Sequence, residues 1–91
     1  MAVLNATARR EFIASNPGWV IDGETIAKTY VHADFNAAMG FVTRVALLSE
    51  VADHHPDIDI RWNKVSIALT THDQGGLTSK DTELAAAIEA L

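Results

Sequence analysis

The sequence predicts a single α+β domain in the order α-β-β-α-β-β-α, with a four-stranded antiparallel sheet and helices packed on one face. Three observations favour this class. A long helical pattern occupies the middle of the chain, a pair of short strand-like runs lies on each side of it, and a helical segment stands near each end. The 91 residues have the length of one domain, and 48% of them are hydrophobic, which suffices for a small core. With no repeat or linker in the sequence, we assign residues 1–91 to one domain.

The first part of the chain predicts a short helix followed by a β-hairpin. Residues 7–14 have helical character, and Asn-Pro-Gly at residues 16–18 ends that helix. Two β-prone runs follow, at residues 19–21 and 25–31. The Asp-Gly pair at residues 22–23 between them is a strong hairpin signal. The alternation in the second run is imperfect, so it does not decide which face is buried.

The second helix is the clearest element in the sequence. Asp34 is a good N-cap residue, and Pro56 predicts an end near His55 because the residue before a proline is pushed out of the α region. Between these ends, apolar residues recur at spacings of three and four: Phe35, Ala38, Met39, Phe41, Val42, Val45, Ala46, Leu48 and Val51. This stripe is wide enough to cover both a sheet and another helix.

The second hairpin follows the proline. Apolar and polar residues alternate over residues 58–62 and again over residues 65–71, with a turn expected at residues 63–64. We therefore expect two paired strands, with His72 at the end of the second.

The last helix begins after a loop. Residues 73–76 are Asp-Gln-Gly-Gly, which is typical of a flexible loop. Thr-Ser-Lys-Asp at residues 78–81 is typical of a capping box. The final helix is expected from residue 79 to about residue 91.

The composition excludes several classes of function. The formal net charge is -5, and no run of Lys or Arg is longer than Arg9-Arg10, so nucleic acid and anionic membranes are not expected as partners. Without Cys there is no disulfide, zinc-thiolate site or thiol nucleophile. No stretch approaches ~18 uninterrupted apolar residues, and the N-terminus lacks the apolar core of a signal peptide. We therefore expect a soluble, unexported, cytoplasmic protein.

The residues that can carry chemistry lie between Glu50 and Asp81. Three of the four histidines, His54, His55 and His72, fall in this stretch. Glu50 and His54 are four residues apart on one helix face, so the carboxylate is expected to hydrogen-bond the imidazole. The second hairpin would return His72 toward the histidine pair. Imidazoles with an unperturbed pKa of about 6.5 suit proton transfer near neutral pH, one as acid and another as base.

Each of these residues also has a structural interpretation. His54 and His55 could be helix-end residues that the macrodipole favours, and Asp81 could serve only the capping box. Glu50 could be a solvated helix residue, His32 a loop residue, and both tryptophans packing residues. This interpretation explains each residue singly but the whole set poorly.

The same residues stand at fixed spacings: Glu50, His54-His55-Pro56, Trp62, His72 and Asp81. In this pattern the chain resembles the pterin-4a-carbinolamine dehydratases. Similarity to that family extends over residues 34–36, 40–46, 62–65, 69–73 and 76–78. It covers the chain from about Phe12 onward, and so many fixed spacings are far more specific than a histidine pair.

The resemblance implies a fold, an activity and an assembly. Members of the family are small α+β proteins with a four-stranded antiparallel sheet and helices on one side. They dehydrate 4a-hydroxytetrahydropterin to quinonoid dihydropterin, which recycles the tetrahydropterin of aromatic amino acid hydroxylases, and they need no metal or organic cofactor. They associate through the second helix and the sheet edge, so a homodimer or homotetramer is expected.

The resemblance also implies roles for individual residues. His54 and His72 would transfer protons at the 4a position, and His55 would bind the pterin and could handle the N5 proton. The other expected site residues are Asp53, Thr70, Thr71 and Asp73 as hydrogen-bonding groups, Trp62 as a wall, and Glu50 and Asp81 as groups that orient imidazoles.

Two other classes of function remain open at this point. A metal hydrolase would use His54, His55 and His72 as ligands, although adjacent histidines rarely reach one ion and the resemblance argues against a metal. A protein-binding module is the more serious alternative, because the family includes a dimerisation cofactor of a homeodomain transcription factor that uses the second helix. The surface predicted for association is Phe41, Val45 and Leu48.

Overall fold

The fold is a four-stranded antiparallel sheet in the order β1-β2-β4-β3 with helices on one face, as the sequence predicts. The structure is a computed structural model that describes residues 2–91. Its elements are α1 (Ala6–Ser15), β1 (Val20–Asp22), β2 (Thr25–Val31), α2 (Phe35–Ala52), β3 (Asp57–Arg61), β4 (Lys64–Leu69), a 3-10 turn (His72–Gln74) and α3 (Ser79–Glu89). Among residues 2–91, no helix is both long and apolar enough to span a bilayer.

The central strand β4 shows which face of the sheet is buried. Val65, Ile67 and Leu69 are buried, whereas the alternate residues of β4 are at least partly exposed. Ile26 of β2 lies opposite Leu69, so the buried face of β2 is the one that Ile26 and Tyr30 share. The alternation of residues in β2 did not decide this. The helices cover this face and complete the core.

Helix α2 packs on the sheet with the side that was predicted to be its association surface. Asp34 caps the helix, accepting from the Ala37 N–H at 2.8 Å, as predicted. Phe41 and Val45 are buried in the core, so the prediction that they form an outward surface is wrong. The outward apolar residues of α2 are Phe35, Met39, Leu47 and Val51. A stripe this wide does not indicate which of its sides meets the sheet.

Helix α2 ends at Ala52, three residues before the predicted end near His55. Asp53 has the left-handed conformation (φ 51°, ψ 44°), and the His54 N–H donates to the Ser49 carbonyl at 3.1 Å. This is a Schellman-type helix end. Pro56 sets only an outer limit for the helix, and the left-handed residue stops it earlier.

The β3–β4 turn also differs from the prediction. Trp62, expected in a strand, lies in the turn with φ 52°, and β4 already begins at Lys64. Strand β4 ends at Leu69, so Thr71 lies beyond the strand and His72 begins the 3-10 turn. Alternating residues predict a strand but do not mark where it stops.

A polar cluster around Glu89 joins α3 to the sheet. The Glu89 carboxylate accepts from Lys28 Nζ at 2.5 Å, from Trp19 Nε1 at 3.3 Å and from the Tyr30 hydroxyl. Burial and the neighbouring carboxylate raise the pKa of Tyr30. Burial alone would raise the pKa of Glu89, but the hydrogen bonds from Lys28 and Tyr30 outweigh burial and hold that pKa below 4.5.

The Glu89→Gln variant is expected to lower the free energy of unfolding by about 1–2 kcal/mol at neutral pH, because it weakens charge-assisted hydrogen bonds. In the folded protein the pKa of Glu89 lies below its usual 4.5. The contribution of the Glu89 carboxylate to stability is therefore complete above pH 4.5 and is lost as the pH falls through the folded pKa. Urea unfolding between pH 3 and pH 7 measures both effects. Glu11→Gln, at an exposed residue of α1, is the matched control. Equal stability of the two variants at pH 7 would contradict the assignment.

Candidate active site

The start of β3 and the end of β4 bring His55 and His72 together. Asp57 of β3 pairs with Ala68 of β4, and His55 lies two residues before Asp57. His55 and His72 line one depression of about 120 Å³, whose other lining residues are Thr25, Asp57, Ala68, Leu69 and Thr70. His72 therefore lies on the same depression as His55, one of the two histidines that it was expected to approach.

His54 faces a buried carboxylate. His54 Nε2 lies 2.5 Å from Asp81 Oδ1; the exposed fraction of the side chain is 11% for His54 and 0% for Asp81. The other oxygen of Asp81 accepts from Thr71 Oγ1 at 2.7 Å and from the Thr78 N–H at 3.0 Å. Asp81 therefore closes the predicted capping box and holds His54 at the same time.

Glu50 pairs with His55, not with His54 as predicted. Glu50 Oε1 lies 2.6 Å from His55 Nε2, and both side chains are exposed. The left-handed conformation of Asp53 explains the exchange, because His54 no longer follows the helical path that a spacing of four assumes. His54 and His55 therefore each have one carboxylate partner.

His54 lines a different groove from the one that His55 and His72 share. This groove, about 440 Å³, runs between α2 and α3, and its other lining residues are Leu48, Val51, Ala52, Lys80, Glu83, Leu84 and Ala87. Within residues 2–91, no group of three or more His, Asp or Glu side chains is placed to hold a metal ion. The three histidines are therefore not arranged as ligands of one ion.

The hydrogen-bonding residues predicted beside the histidines fall into two groups. Thr70 lines the depression, and Asp53 and Asp73 are exposed next to histidines. Thr71 is buried, and its hydroxyl is bonded to Asp81 and, at 2.9 Å, to Thr78 Oγ1. The prediction that the Thr71 side chain contacts a substrate is corrected accordingly, because this hydroxyl supports Asp81.

Trp62 is placed far from the depression. It precedes β4, whereas His72 follows β4, and the six residues of that strand separate the two ends by roughly 17 Å. Its side chain is 67% exposed. Within one chain Trp62 therefore does not form the predicted wall.

The sequence of the chain also matches a known protein family. Residues 2–91 match the family model described as pterin 4 alpha carbinolamine dehydratase. The chain belongs to this family. The family predicted from the spaced pattern is therefore confirmed, and the dehydratase family is one of hydro-lyases.

Individual relatives agree with the family assignment. A protein of Chloroflexus aurantiacus, provisionally named pterin-4-alpha-carbinolamine dehydratase, is 56% identical over 81 residues, which is 89% of this chain and 87% of the relative. A protein of Acidobacterium capsulatum with the same name is 52% identical over 91 residues, covering 100% of this chain and 99% of the relative. The crystal structure of a transcriptional coactivator/pterin dehydratase from Brucella melitensis superposes with a TM-score of 0.91 at 33% identity, covering 97% of this chain and 96% of that one.

Sequence reasoning missed four residues of the depression in this dehydratase-family chain. Thr25, Asp57, Ala68 and Leu69 line it together with the histidines. Asp57 had a signal, because it directly follows the His-His-Pro sequence at the start of a strand. Thr25, Ala68 and Leu69 had none, because only the register of β2, β4 and β3 brings them to this site.

The Asp53→Gly variant is expected to gain roughly 0.5 kcal/mol of stability, because glycine adopts the left-handed conformation without the steric cost of a Cβ. Urea unfolding measures this gain. Asp53→Ala is the matched control and should lose stability, since alanine keeps the cost and loses the polar side chain. A destabilised glycine variant would contradict the role of this conformation in ending α2.

Proposed function

We propose that this chain dehydrates 4a-hydroxytetrahydropterin to quinonoid dihydropterin and water, and so recycles the tetrahydropterin of aromatic amino acid hydroxylases in the cytoplasm. The observation that carries the proposal is the pair His55 and His72 in one depression, with His54, the residue before His55, held by buried Asp81. The family and the names of the relatives support the same reaction.

The reaction needs one acid and one base. The bond between C4a and the hydroxyl oxygen breaks, and the oxygen leaves as water after it takes a proton from the acid. The base removes the proton from N5, and the N5 electron pair forms the double bond to C4a. Imidazoles titrate near neutral pH and can fill both roles, so the reaction requires no metal or organic cofactor.

The carboxylate partners define which ring nitrogen can act. In His54 and His55 the partner occupies Nε2, so Nδ1 is the nitrogen that remains for a substrate. A carboxylate that holds the second ring nitrogen sets the orientation and tautomer of an imidazole. We assign the 4a proton transfer to His54 and His72, and pterin positioning with transfer of the N5 proton to His55.

The polar rim supplies hydrogen bonds to the pterin. Thr70 lines the depression, and Asp53 and Asp73 stand beside the histidines. Carboxylates and hydroxyls suit the amino and amide groups of a pterin ring. The net charge of -5 does not oppose a neutral bicyclic substrate.

The experiment that tests the proposal is dehydration of freshly generated 4a-hydroxytetrahydropterin, followed by ultraviolet absorbance. We expect the rate to exceed the spontaneous rate and to increase in proportion to protein concentration. The Asp59→Ala variant, which loses only an exposed ion pair with Arg61, is the control and should match the wild type. A wild-type rate equal to the spontaneous rate would overturn the proposed function.

The outward face of α2 favours a second function, association with protein. Phe35, Met39, Leu47 and Val51 are 52%, 38%, 64% and 89% exposed, which is unusual for apolar residues along one helix. The Brucella melitensis protein is described as both coactivator and dehydratase. We propose that this face joins copies of the chain into a homodimer or homotetramer.

Sedimentation of two charged variants tests this association. Leu47→Asp and Val51→Asp place a carboxylate in the apolar face, so each is expected to sediment as a smaller species than the wild type. Ala14→Asp, which places the same charge at an exposed residue of α1, should sediment like the wild type. A monomeric wild type would contradict self-association and leave another protein as the occupant of this face.

A further inference from the structure

One residue of the β1–β2 turn holds both ends of the segment that carries His72. Residues 70–77 connect β4 to α3. At the start of this segment, Thr70 Oγ1 donates to the Glu24 carbonyl at 2.5 Å. At its end, the Leu77 N–H donates to the Glu24 carboxylate at 3.0 Å. Glu24 therefore bridges the base of the His72 segment.

The segment is also closed by its own backbone. Thr71 and Gly76 exchange two hydrogen bonds of 3.3 and 3.2 Å, and the Gly75 N–H donates to the His72 carbonyl at 3.0 Å. These hydrogen bonds connect the two sides of the loop that carries His72. The position of His72 therefore depends on what fixes the base of the loop.

Arg9 of α1 fixes Glu24 in turn. Its Nη2 donates to Glu24 Oε1 at 2.7 Å, its Nη1 to the Gly23 carbonyl at 3.2 Å, and its Nε to the Leu4 carbonyl at 3.0 Å. The hydrogen bonds from Arg9 and then from Leu77 lower the pKa of Glu24, so this carboxyl is ionised at neutral pH.

Gly76 lies against the same carboxylate. A Cβ at this position would be 2.1 Å from Glu24 Oε1, which is much closer than van der Waals contact. Any side chain here must therefore displace the Glu24 carboxylate from the Leu77 N–H. This gives a second way to break the same contact without changing Glu24.

We propose that Glu24, held by Arg9, is a positioning residue that sets the place of His72 in the active site. Glu24 acts through residues 70–77, and its neighbour Thr25 lines the depression. The inference rests on the dehydratase function proposed above.

The first test is the rate of the Glu24→Ala variant. Because small displacements of a catalytic group are costly, we expect kcat to fall roughly ten- to a hundred-fold, with a smaller change in KM. Glu24→Gln should recover most of the rate, since its amide oxygen can still accept from Leu77. Asp59→Ala, which removes an exposed ion pair elsewhere, is the control and should keep the wild-type kcat.

Combined variants test whether Glu24 acts through His72. In a His72→Ala background, Glu24→Ala should have no further effect on kcat, whereas in a His54→Ala background it should keep its full effect. Gly76→Ala should lower kcat as Glu24→Ala does, and adding it to Glu24→Ala should cost little more. An unchanged kcat in Glu24→Ala, or an equal loss in the His72→Ala background, would overturn the inference.

A readout without substrate separates this inference from the proposed function. The ring signals of His72 in heteronuclear NMR spectra should shift or broaden in Glu24→Ala, while those of His32 stay in place. If the wild type shows no dehydratase activity but His72 moves, the proposed function fails and the positioning by Glu24 stands. If the His72 signals are unchanged, the positioning role is wrong whatever the activity.

Discussion

The double variant His54→Ala/His72→Ala is expected to lose nearly all dehydratase activity, whereas each single variant loses only part. General acid–base catalysis typically contributes about 10²- to 10⁴-fold, and two imidazoles near one substrate can partly replace each other. We therefore expect single losses of roughly ten- to a hundred-fold and a double variant close to the spontaneous rate. Initial rates of 4a-hydroxytetrahydropterin dehydration measure all four proteins.

Stability must be measured beside these rates. His72 is exposed, so its loss should leave unfolding unchanged. His54→Ala leaves the Asp81 carboxylate without its imidazole, so His54→Gln, which can still donate to Asp81, is the matched control. Full activity in the double variant, with the protein folded, would exclude both histidines from proton transfer.

The second large effect is expected at Asp81. This carboxylate is fully buried and has three partners, His54, Thr71 and Thr78. The Asp81→Ala variant leaves those groups unsatisfied, and we expect it to lose about 3 kcal/mol of stability. That is a large fraction of the roughly 5–15 kcal/mol available to a small domain. Urea unfolding measures the loss.

Asp81→Asn separates the two roles of this residue. Its side-chain oxygen can still accept from Thr78 and keep the capping box, but the amide no longer provides a charged partner for His54. We expect a smaller loss of stability than in Asp81→Ala, together with a clear fall in kcat. Asp34→Asn at the cap of α2 is the control, because it changes the same chemical group away from the site. Wild-type kcat in Asp81→Asn would show that the charge on Asp81 has no part in catalysis.

The order of elements could be predicted because most of them have strong local signals. The Asp34 cap, the Asp-Gly turn and the capping box that ends in Asp81 are all read from a few adjacent residues, and the structure has each of them. The outward face of α2 could not be predicted. Almost every side of that helix is apolar, so only the packing shows that Phe41 and Val45 are core residues.

The site was predicted less completely because its geometry depends on backbone conformation. The sequence indicates which residues are involved, but the exchange of Glu50 from His54 to His55 follows from the left-handed Asp53. Thr71 was expected to face a substrate because it is next to His72, but it lies beneath the site on Asp81. Trp62 belongs to the spaced pattern and yet lies at the other end of the hairpin.

The most direct test of the account is a titration of the protein with a stable pterin, 7,8-dihydrobiopterin, followed through the ring signals of its histidines by NMR. The four histidines report on both ends of the sheet, because His32 is bonded to Asn63 in the β3–β4 turn whereas His55 and His72 lie at the opposite end of β4. We predict that the signals of His55 and His72 shift most, that His54 also shifts, and that His32 stays in place. A pterin that shifts none of the first three, or only His32, would contradict an active site at these histidines.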